Sequence, residues 1–356
     1  MTTSILSFII VLSVLILVHE LGHFLVARYF GVGVLKFSLG FGPRVVGKTI
    51  GITDYRISAI PLGGFVKMVG DEPDSIVPPE DIPLSFNHKP LLQRFLIVFA
   101  GPFSNLLLAV LIFFGLFFIA GIPVINPVIG KIDPGSPAEL AGIQSEDRIS
   151  AIDNQPIDAW DDMAKKISAS HGRTLTMTLD REGRTLNIEV TPQQKASKNL
   201  FGEPIDRYFI GVMSAGETRI RQMGFFESLA ESLTQTYKIV EMTVLSIVKL
   251  IQGTVSAKTL GGPIMIAEMA GQQAKEGAVS LIYFIALLSV NLGILNFLPI
   301  PVLDGGHLFF FTIEAIIRKP LSIRLREVAQ QVGIATLVLL MIFVFMNDIE
   351  RLFFAG

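Results

Sequence analysis

The stretch that decides the fold is Ser4–Ala27, SILSFIIVLSVLILVHELGHFLVA, an apolar run of helical length that contains two histidines and a glutamate. His19 and His23 are four residues apart, so a helix projects both imidazoles from one face, about a turn apart, where both can reach one tetrahedral zinc ion. Glu20 is offset toward the position of the water in a zinc hydrolase. Such side chains are costly in a bilayer unless they face a protein interior or a wet cavity. The pattern predicts a proteolytic zinc site within the membrane.

Composition assigns the chain to a class of protein. Its 356 residues are 51% hydrophobic and only 17% charged, with a mean hydropathy of +0.58, which is too apolar for an ordinary soluble domain. A net charge of −2, without basic runs interleaved with aromatic residues, argues against nucleic acid as a partner. Cysteine is absent, so disulfides, thiolate metal sites and a cysteine nucleophile are excluded. We therefore expect an integral membrane protein whose zinc ligands are histidine and carboxylate.

Four segments are long and apolar enough to cross a bilayer, at 4–27, 95–121, 279–301 and 329–347. The first is predicted to be retained, because it has no basic n-region and no small-residue cleavage pattern. The loops after the first and third spans carry the basic residues Arg28, Lys36, Arg44, Lys48, Arg56, Lys67, Lys89 and Arg94, and Arg318, Lys319, Arg324 and Arg326. By the positive-inside rule these loops are cytoplasmic, and both termini and 122–278 are outside. His19, roughly 22 Å into its helix, is then nearer the cytoplasmic face.

The segment 34–70 predicts a glycine-rich β element. Tyr55–Ile60 alternates as a strand, Pro61–Gly64 predicts a turn, and Phe65–Val69 returns to extended character. Beside the metal, an open strand edge here could hold an unwound substrate segment. A small cytoplasmic hairpin without a substrate role is the alternative, and the sequence favours neither.

From Val124 to about Thr191 the composition is that of a soluble α+β module. A short helix follows Pro134–Ala138, Arg148–Ile152 predicts a strand, 160–168 has helical spacing, and 175–190 alternates about a turn as a hairpin. These features, above all SPAELAGIQSEDRISAIDNQPI, resemble a PDZ domain. The carboxylate-binding loop of many PDZ domains is not evident at 128–132, where it is expected. The module therefore either binds peptide or acts as a steric gate against bulky outer domains.

An amphipathic stripe follows the module. Apolar residues recur at spacings of three and four, at Leu229, Leu233, Tyr237, Val240, Val244, Ile247 and Ile251. The pattern predicts a helix that lies in the outer membrane interface or packs on the catalytic core, and a purely structural helix is the favoured interpretation.

Asp304 is the best candidate for a third zinc ligand, which a site of this type needs beside one open position. It follows NFLPIPVL at 296–303, where Pro299 and Pro301 break the third span and free backbone groups that only a protein-lined or wet cavity tolerates. A carboxylate at such a break indicates a functional site. The alternative is that Asp304 only caps the helix that starts at Gly305.

The combination resembles the site-two protease family of intramembrane metalloproteases, over essentially the whole chain. The resemblance rests on HELGH at 19–23, GPFSN at 101–105, NFLPIPVLDG at 296–305 and the PDZ-like insert, with local likeness in Gly40–Gly42 and in PLGGFVKMVGDE at 61–72. It implies that zinc is held by His19, His23 and Asp304, with Glu20 as general base. It also implies substrate-binding or supporting roles for Asn105, Asn296, Pro299, Pro301, Gly63 and Gly64.

The same resemblance implies a location and a substrate class. We expect a multi-pass protein of the bacterial cytoplasmic (inner) membrane, with the PDZ-like domain on the outer side. Its substrates would be single-span membrane proteins, such as an anti-sigma factor already cut at a first site, or remnant signal peptides. Some bacterial members carry two tandem PDZ domains, whereas this chain has room for one. A membrane PDZ scaffold and a metal transporter remain alternatives, although internal symmetry of the transporter kind is not evident.

The predicted fold is a membrane protein with four transmembrane helices, a membrane-associated β element and an inserted α+β PDZ-like domain. Its predicted segments are 1–30, the first transmembrane helix with HExxH; 31–94, the cytoplasmic-side β region; 95–123, the second helix; 124–213, the PDZ-like domain; 214–278, the amphipathic region; 279–303, the third helix; 304–328, the LDG segment and cytoplasmic loop; and 329–348, the fourth helix.

Four further polar residues need an interpretation. His307 lies three residues beyond Asp304, and helix packing is favoured for it over a hydrogen bond to the site or zinc ligation. His88 and His171 lie in polar segments and are predicted at the surface. Glu314 is expected at the interface beside Arg318.

Overall fold

A computed structural model describes residues 2–72, 77–199 and 201–354. The chain forms two compact units, one made of Met1–Leu116 with Ser228–Gly356 and the other of Phe117–Glu227. The α-helices are α1 Thr2–Tyr29, α2 Leu91–Ala120, α3 Pro137–Leu140, α4 Trp160–Ser168, α5 Phe225–Ile251, α6 Pro263–Glu276, α7 Ala278–Phe297, α8 Asp304–Ile317 and α9 Ile323–Phe354. The strands are β1 Val34–Ile50, β2 Thr53–Met68, β3 Ile122–Ile125, β4 Ile129–Ile132, β5 Arg148–Ile152, β6 Gln155–Pro156, β7 Leu175–Arg181, β8 Arg184–Val190, β9 Gln193–Lys198, β10 Pro204–Phe209, β11 Val212–Ser214 and β12 Thr218–Arg221.

Four helices in the described ranges are long and apolar enough to cross a membrane, and they confirm the four predicted spans. Their bounds are Thr3–Tyr29, Leu91–Ala120, Ala278–Phe297 and Ile323–Phe353. The third span ends four residues earlier than the predicted 301, because Leu298 precedes a proline and adopts an extended conformation. The protein is therefore an integral membrane protein.

Helix α1 carries HELGH and packs into the first unit along its length. Val11 and Leu15 belong to a buried apolar cluster with Ala270 of α6 and with Phe284 and Ile285 of α7. Because these contacts lie one and two turns before His19, they fix which face of α1 turns inward.

Strands β1 and β2 form a sheet in which one part of β2 is an edge. Leu39 lies opposite both Ile57 and Gly64, so the chain crosses β1 between these two residues of β2. The predicted turn at Pro61–Gly64 is wrong as a separate element, because β2 continues through it and the tight turn lies at Gly51 and Ile52. Within the described residues, Gly64–Met68 pairs with β1 on one side only. The other side of this segment is an open edge.

The break between α7 and α8 is compact because glycines begin the second helix. A Cβ at Gly305 would overlap the backbone of Phe297 and Leu298, and one at Gly306 would overlap that of Ile300 and Pro301. Only glycine lets α8 start this close behind the two prolines. Leu303 is the N-cap and no side-chain cap is made, so Asp304 does not cap the helix. Its carboxylate is free for another role.

The second unit is an α+β fold with its own core. Its four-stranded sheet has the order β6-β5-β7-β8. The unit also contains three two-stranded sheets, formed by β3 with β12, β4 with β11 and β9 with β10. The predicted strand at 148–152, the helix at 160–168 and the hairpin at 175–190 are all present. Buried Asp147 accepts hydrogen bonds from Arg181, which joins the loop before β5 to the end of β7. β3 and β12, at the two ends of this strand series, pair with each other.

Helix α5 packs through a face beside its apolar stripe and not through the stripe itself. Its buried residues are Ser228, Ser232 and Thr236, a stripe of small hydroxyl side chains. Most of the predicted apolar stripe is exposed, including Leu229, Leu233, Tyr237, Val244 and Ile251. The expectation that this stripe packs on the catalytic core is therefore wrong, since the small residues allow the closer approach.

Glu314 is not at an interface beside Arg318, as the sequence predicts, but buried at 4% exposure. Its carboxylate pairs with Arg94 at 3.4 Å and with Arg326, and it accepts a hydrogen bond from the Leu321 backbone. The network joins the beginnings of α2 and α9 to α8. His88 and His171 are exposed, as predicted.

Candidate metal centre

His19, His23 and Asp304 bring three ligand atoms together, all within 4.8 Å of one another. The Nε2 atoms of the two histidines are 3.2 Å apart, and Asp304 Oδ2 is 3.0 Å from the first and 3.5 Å from the second. Ligand bonds of about 2.0–2.2 Å around a tetrahedral zinc give ligand–ligand distances of roughly 3.3–3.6 Å. The spacing of the three atoms fits one zinc ion with a fourth position left open.

The second nitrogen of His23 is held by the backbone. Its Nδ1 donates to the carbonyl oxygen of Ile97 in α2, at 2.9 Å. A neutral imidazole with its proton on Nδ1 keeps Nε2 as a lone pair, the form that a metal requires. The ring is therefore oriented as a ligand by the helix it packs against.

The second nitrogen of His19 faces two amides. Asn105 and Asn296 point their side-chain nitrogens at its Nδ1, at 3.4 and 3.5 Å. Asn105 is fully buried, and its Oδ1 has no hydrogen-bond partner among the described residues. A half-turn of the Asn105 amide keeps its shape and brings this orphaned oxygen to Nδ1, where it accepts the proton that a zinc-bound imidazole carries there. The buried donor set thus fits a metal on Nε2.

Glu20 stands beside this cluster and is not part of it. The backbone N–H of Val66 in β2 lies near its carboxylate. Gly64 passes so close that a Cβ there would lie 3.1 Å from Glu20 Cγ. The open edge of β2 therefore runs directly past the Glu20 carboxylate.

A cavity of about 490 Å³ opens from the cluster. Its wall comes from α1, the β2 edge, the loop before α2, α8 and the start of α9, and includes Glu20, Gly64, Phe65, Val66, Asp71, Asn87, His307, Phe311, Arg326 and Gln330. Burial raises the pKa of the Asp71 carboxyl, although the Met68 N–H opposes this. Burial lowers the pKa of the His307 imidazole. The cavity wall thus combines partly buried ionisable groups with apolar side chains such as Phe65 and Phe311.

The structure separates the predicted site residues into two groups. His19, Glu20, His23, Asp304, Asn105, Asn296 and Gly64 meet at or beside the cluster. Gly63 instead packs on the Phe41 ring, and Pro299 and Pro301 shape the connection before α8. Asp71 and the α9 residues Arg326 and Gln330 were missed. Asp71 lies in the noted PLGGFVKMVGDE segment, but no local signal brings the start of α9 to the cavity.

Comparison with known proteins gives a consistent result. The model of peptidase family M50 matches residues 7–340. A Rhizobium meliloti (strain 1021) protein named as a zinc metalloprotease is 38% identical, over 98% of this chain and 96% of its own length. A Campylobacter jejuni protein of the same description is 38% identical, over 98% and 93%. Protease RseP of Yersinia pestis is 33% identical, over 98% and 99%. That alignment extends over 451 positions, so the Yersinia protein contains segments without a counterpart in these 356 residues.

Proposed function

The chain belongs to peptidase family M50 and is a membrane metalloprotease that uses zinc; on that premise we propose that His19, His23 and Asp304 hold the ion and that Glu20 is the general base. The observation that carries the proposal is the meeting of three ligand atoms from α1 and α8 at the spacing of a tetrahedral zinc site. Glu20 lies beside them in the same cavity.

Bound zinc supplies a Lewis acid that polarises the scissile carbonyl and activates water. The Glu20 carboxylate takes a proton from the attacking water and passes it to the nitrogen of the leaving amine. The Val66 N–H lies beside this carboxylate. The Nδ1 protons of both histidines stay on their acceptors, Ile97 O and Asn105 Oδ1 (in the turned orientation of its amide), so neither ring competes for the proton. No covalent enzyme intermediate is required.

The substrates we propose are single-span membrane proteins, cut within or near the span. The open edge at Gly64–Val66 supports this, since an extended segment that pairs with it keeps its backbone hydrogen-bonded at membrane depth and passes Glu20. A helical span must first unwind locally. An anti-sigma factor shortened by an earlier cut, or a remnant signal peptide, fits this description.

We further propose a bacterial cytoplasmic membrane location with the second unit on the outer side. The basic loops at 28–94 and 318–326 support this orientation. For the second unit we propose a PDZ-like size gate that excludes substrates with large outer domains. A groove of about 760 Å³ lined by α4 and by Arg207–Met213 favours peptide binding as a second candidate role.

Glu20→Gln tests the mechanism, with exposed Glu80→Gln as the matched control. The amide cannot accept the proton, so cleavage of a co-expressed single-span substrate should fall by about 10²- to 10⁴-fold while zinc per protein stays unchanged. The Glu80→Gln control should keep both the cleavage activity and the zinc content of the parent. Undiminished cleavage by Glu20→Gln would reject the proposed mechanism, whereas a scaffold or a transporter would show no cleavage even in the parent.

A further inference from the structure

His307 is a histidine in the cavity of the metal centre that the proposed mechanism leaves unused. It lies in the first turn of α8, three residues after Asp304 and hence on the same side of the helix. Its side chain lines the same cavity as Glu20 and Gly64. Its imidazole is close enough to Asp304 and His23 to interact with them electrostatically. It is thus beside the reacting groups and on a regular helix.

His307 belongs neither to the ligand cluster nor to the hydrogen bonds described around it. The three grouped ligand atoms come from other residues. Among the residues that the structure describes, its ring makes no hydrogen bond. Two other donors in the wall are already engaged, since Arg326 pairs with Glu314 and Asn87 donates to the Glu72 carbonyl. A polar ring without a hydrogen-bond partner among these residues, in a half-buried cavity, indicates a group that is available to bind a ligand.

Peptide hydrolysis creates a need for such a donor. As water adds to the scissile carbonyl, its oxygen gains negative charge, and a pre-positioned N–H there is worth about 10²- to 10³-fold in kcat. Glu20 cannot serve, because it must accept a proton at the same moment. Glu20 belongs to α1 and touches the β2 edge, whereas His307 belongs to α8, so the two groups reach the cavity from different elements.

We propose that His307 donates a hydrogen bond from its ring N–H to the scissile carbonyl oxygen as that oxygen becomes negative. This rests on the proposed function, in which Glu20 acts on the attacking water in the same cavity. Both the neutral and the protonated imidazole offer an N–H, so the donor role does not depend on a change of protonation. The proton of His307 stays on the ring, and the proton from water travels through Glu20 to the leaving amine.

The test compares His307→Leu, which removes the donor, with His307→Gln, which retains an N–H. Exposed His88, which bonds to Ser85 Oγ, provides the matched control His88→Leu. We expect kcat of His307→Leu to fall by about 10²- to 10³-fold with KM within about threefold of the parent. His307→Gln should recover about tenfold of that loss, and His88→Leu should behave as the parent.

Two further readouts do not depend on turnover. Zinc per protein should be the same in the parent and in both His307 variants. In the Glu20→Gln background, the Kd of an uncleaved substrate should not change on adding His307→Leu, because the bond strengthens only as the carbonyl oxygen gains charge.

Four results would overturn the proposal. Loss of zinc in His307→Leu would make His307 a ligand, and equal losses of kcat for Leu and Gln would make it a packing residue. A parallel rise in KM and Kd would make it a contact to the ground-state substrate, and unchanged kcat for Leu would leave it no role. Glu20→Gln run alongside separates the two hypotheses: full activity there defeats the proposed function, whereas an inactive Glu20→Gln with an active His307→Leu defeats this inference alone.

Discussion

Gly101 of α2 packs against the imidazole of His23 in α1, so closely that a methyl group at position 101 would overlap the Nε2 end of the ring. One turn further along α2, Asn105 lies against Nδ1 of the other histidine, His19. The segment Gly101–Asn105 therefore contacts both histidines. Gly101 leaves room for the His23 ring, and the Asn105 amide faces Nδ1 of His19. This relationship gives the GPFSN segment a physical role in the metal centre.

Gly101→Ala should displace His23 and weaken zinc binding. The added methyl has no room, and overpacking of a tight site costs about 1–3 kcal/mol. We expect zinc per protein, measured by elemental analysis after dialysis, to fall together with cleavage activity. Gly115→Ala, on the same helix with open space around it, is the control and should keep both. Normal zinc content in Gly101→Ala would show that His23 can move without loss of the metal.

Asp304→Ala should lose zinc, because it removes one of the three proposed ligand atoms and leaves two imidazoles. Asp71→Ala is the matched control, since Asp71 is a second carboxylate in the wall of the same cavity that is not in the ligand cluster. Its zinc content should remain that of the parent, whatever happens to its activity. If Asp71→Ala loses zinc and Asp304→Ala retains it, the third ligand is wrongly assigned.

Removal of the second unit should leave the metal centre intact and change substrate selectivity. Ile122 and Arg221 are paired neighbours, so a short Gly/Ser bridge between them replaces the whole strand series without stretching the chain. The three proposed ligands all lie in the first unit, and zinc content should be unchanged. If the second unit is a size gate, the shortened enzyme will cut a substrate that still carries a large outer domain, whereas the parent will not.

The same assay separates the two roles of that unit. A peptide-binding role predicts slower cleavage of a pre-shortened substrate by the shortened enzyme, because a recruiting contact is lost. Equal selectivity and equal rates in the parent and shortened enzymes would contradict both roles.

Much of the metal centre could be predicted from sequence because its signals are local. The i, i+4 spacing of His19 and His23 needs only a helix, and an apolar stretch of about 20 residues needs only the thickness of a bilayer. The carboxylate at Asp304 was predicted because two prolines mark the break before it. These features follow from covalent geometry and transfer free energy, so the sequence alone determined the four spans and the chemical class of the site.

Only the tertiary structure decided which groups stand around that chemistry. The Asn105 amide faces His19, Gly101 makes room for His23, and Glu314 pairs with Arg94 and Arg326 rather than with its sequence neighbour Arg318. The tertiary structure likewise decided that the apolar stripe of α5 is exposed and that its small hydroxyl residues are buried. The reason is physical: packing free energy and the partners of buried polar groups depend on which surfaces meet, and residues far apart in the chain supply those surfaces.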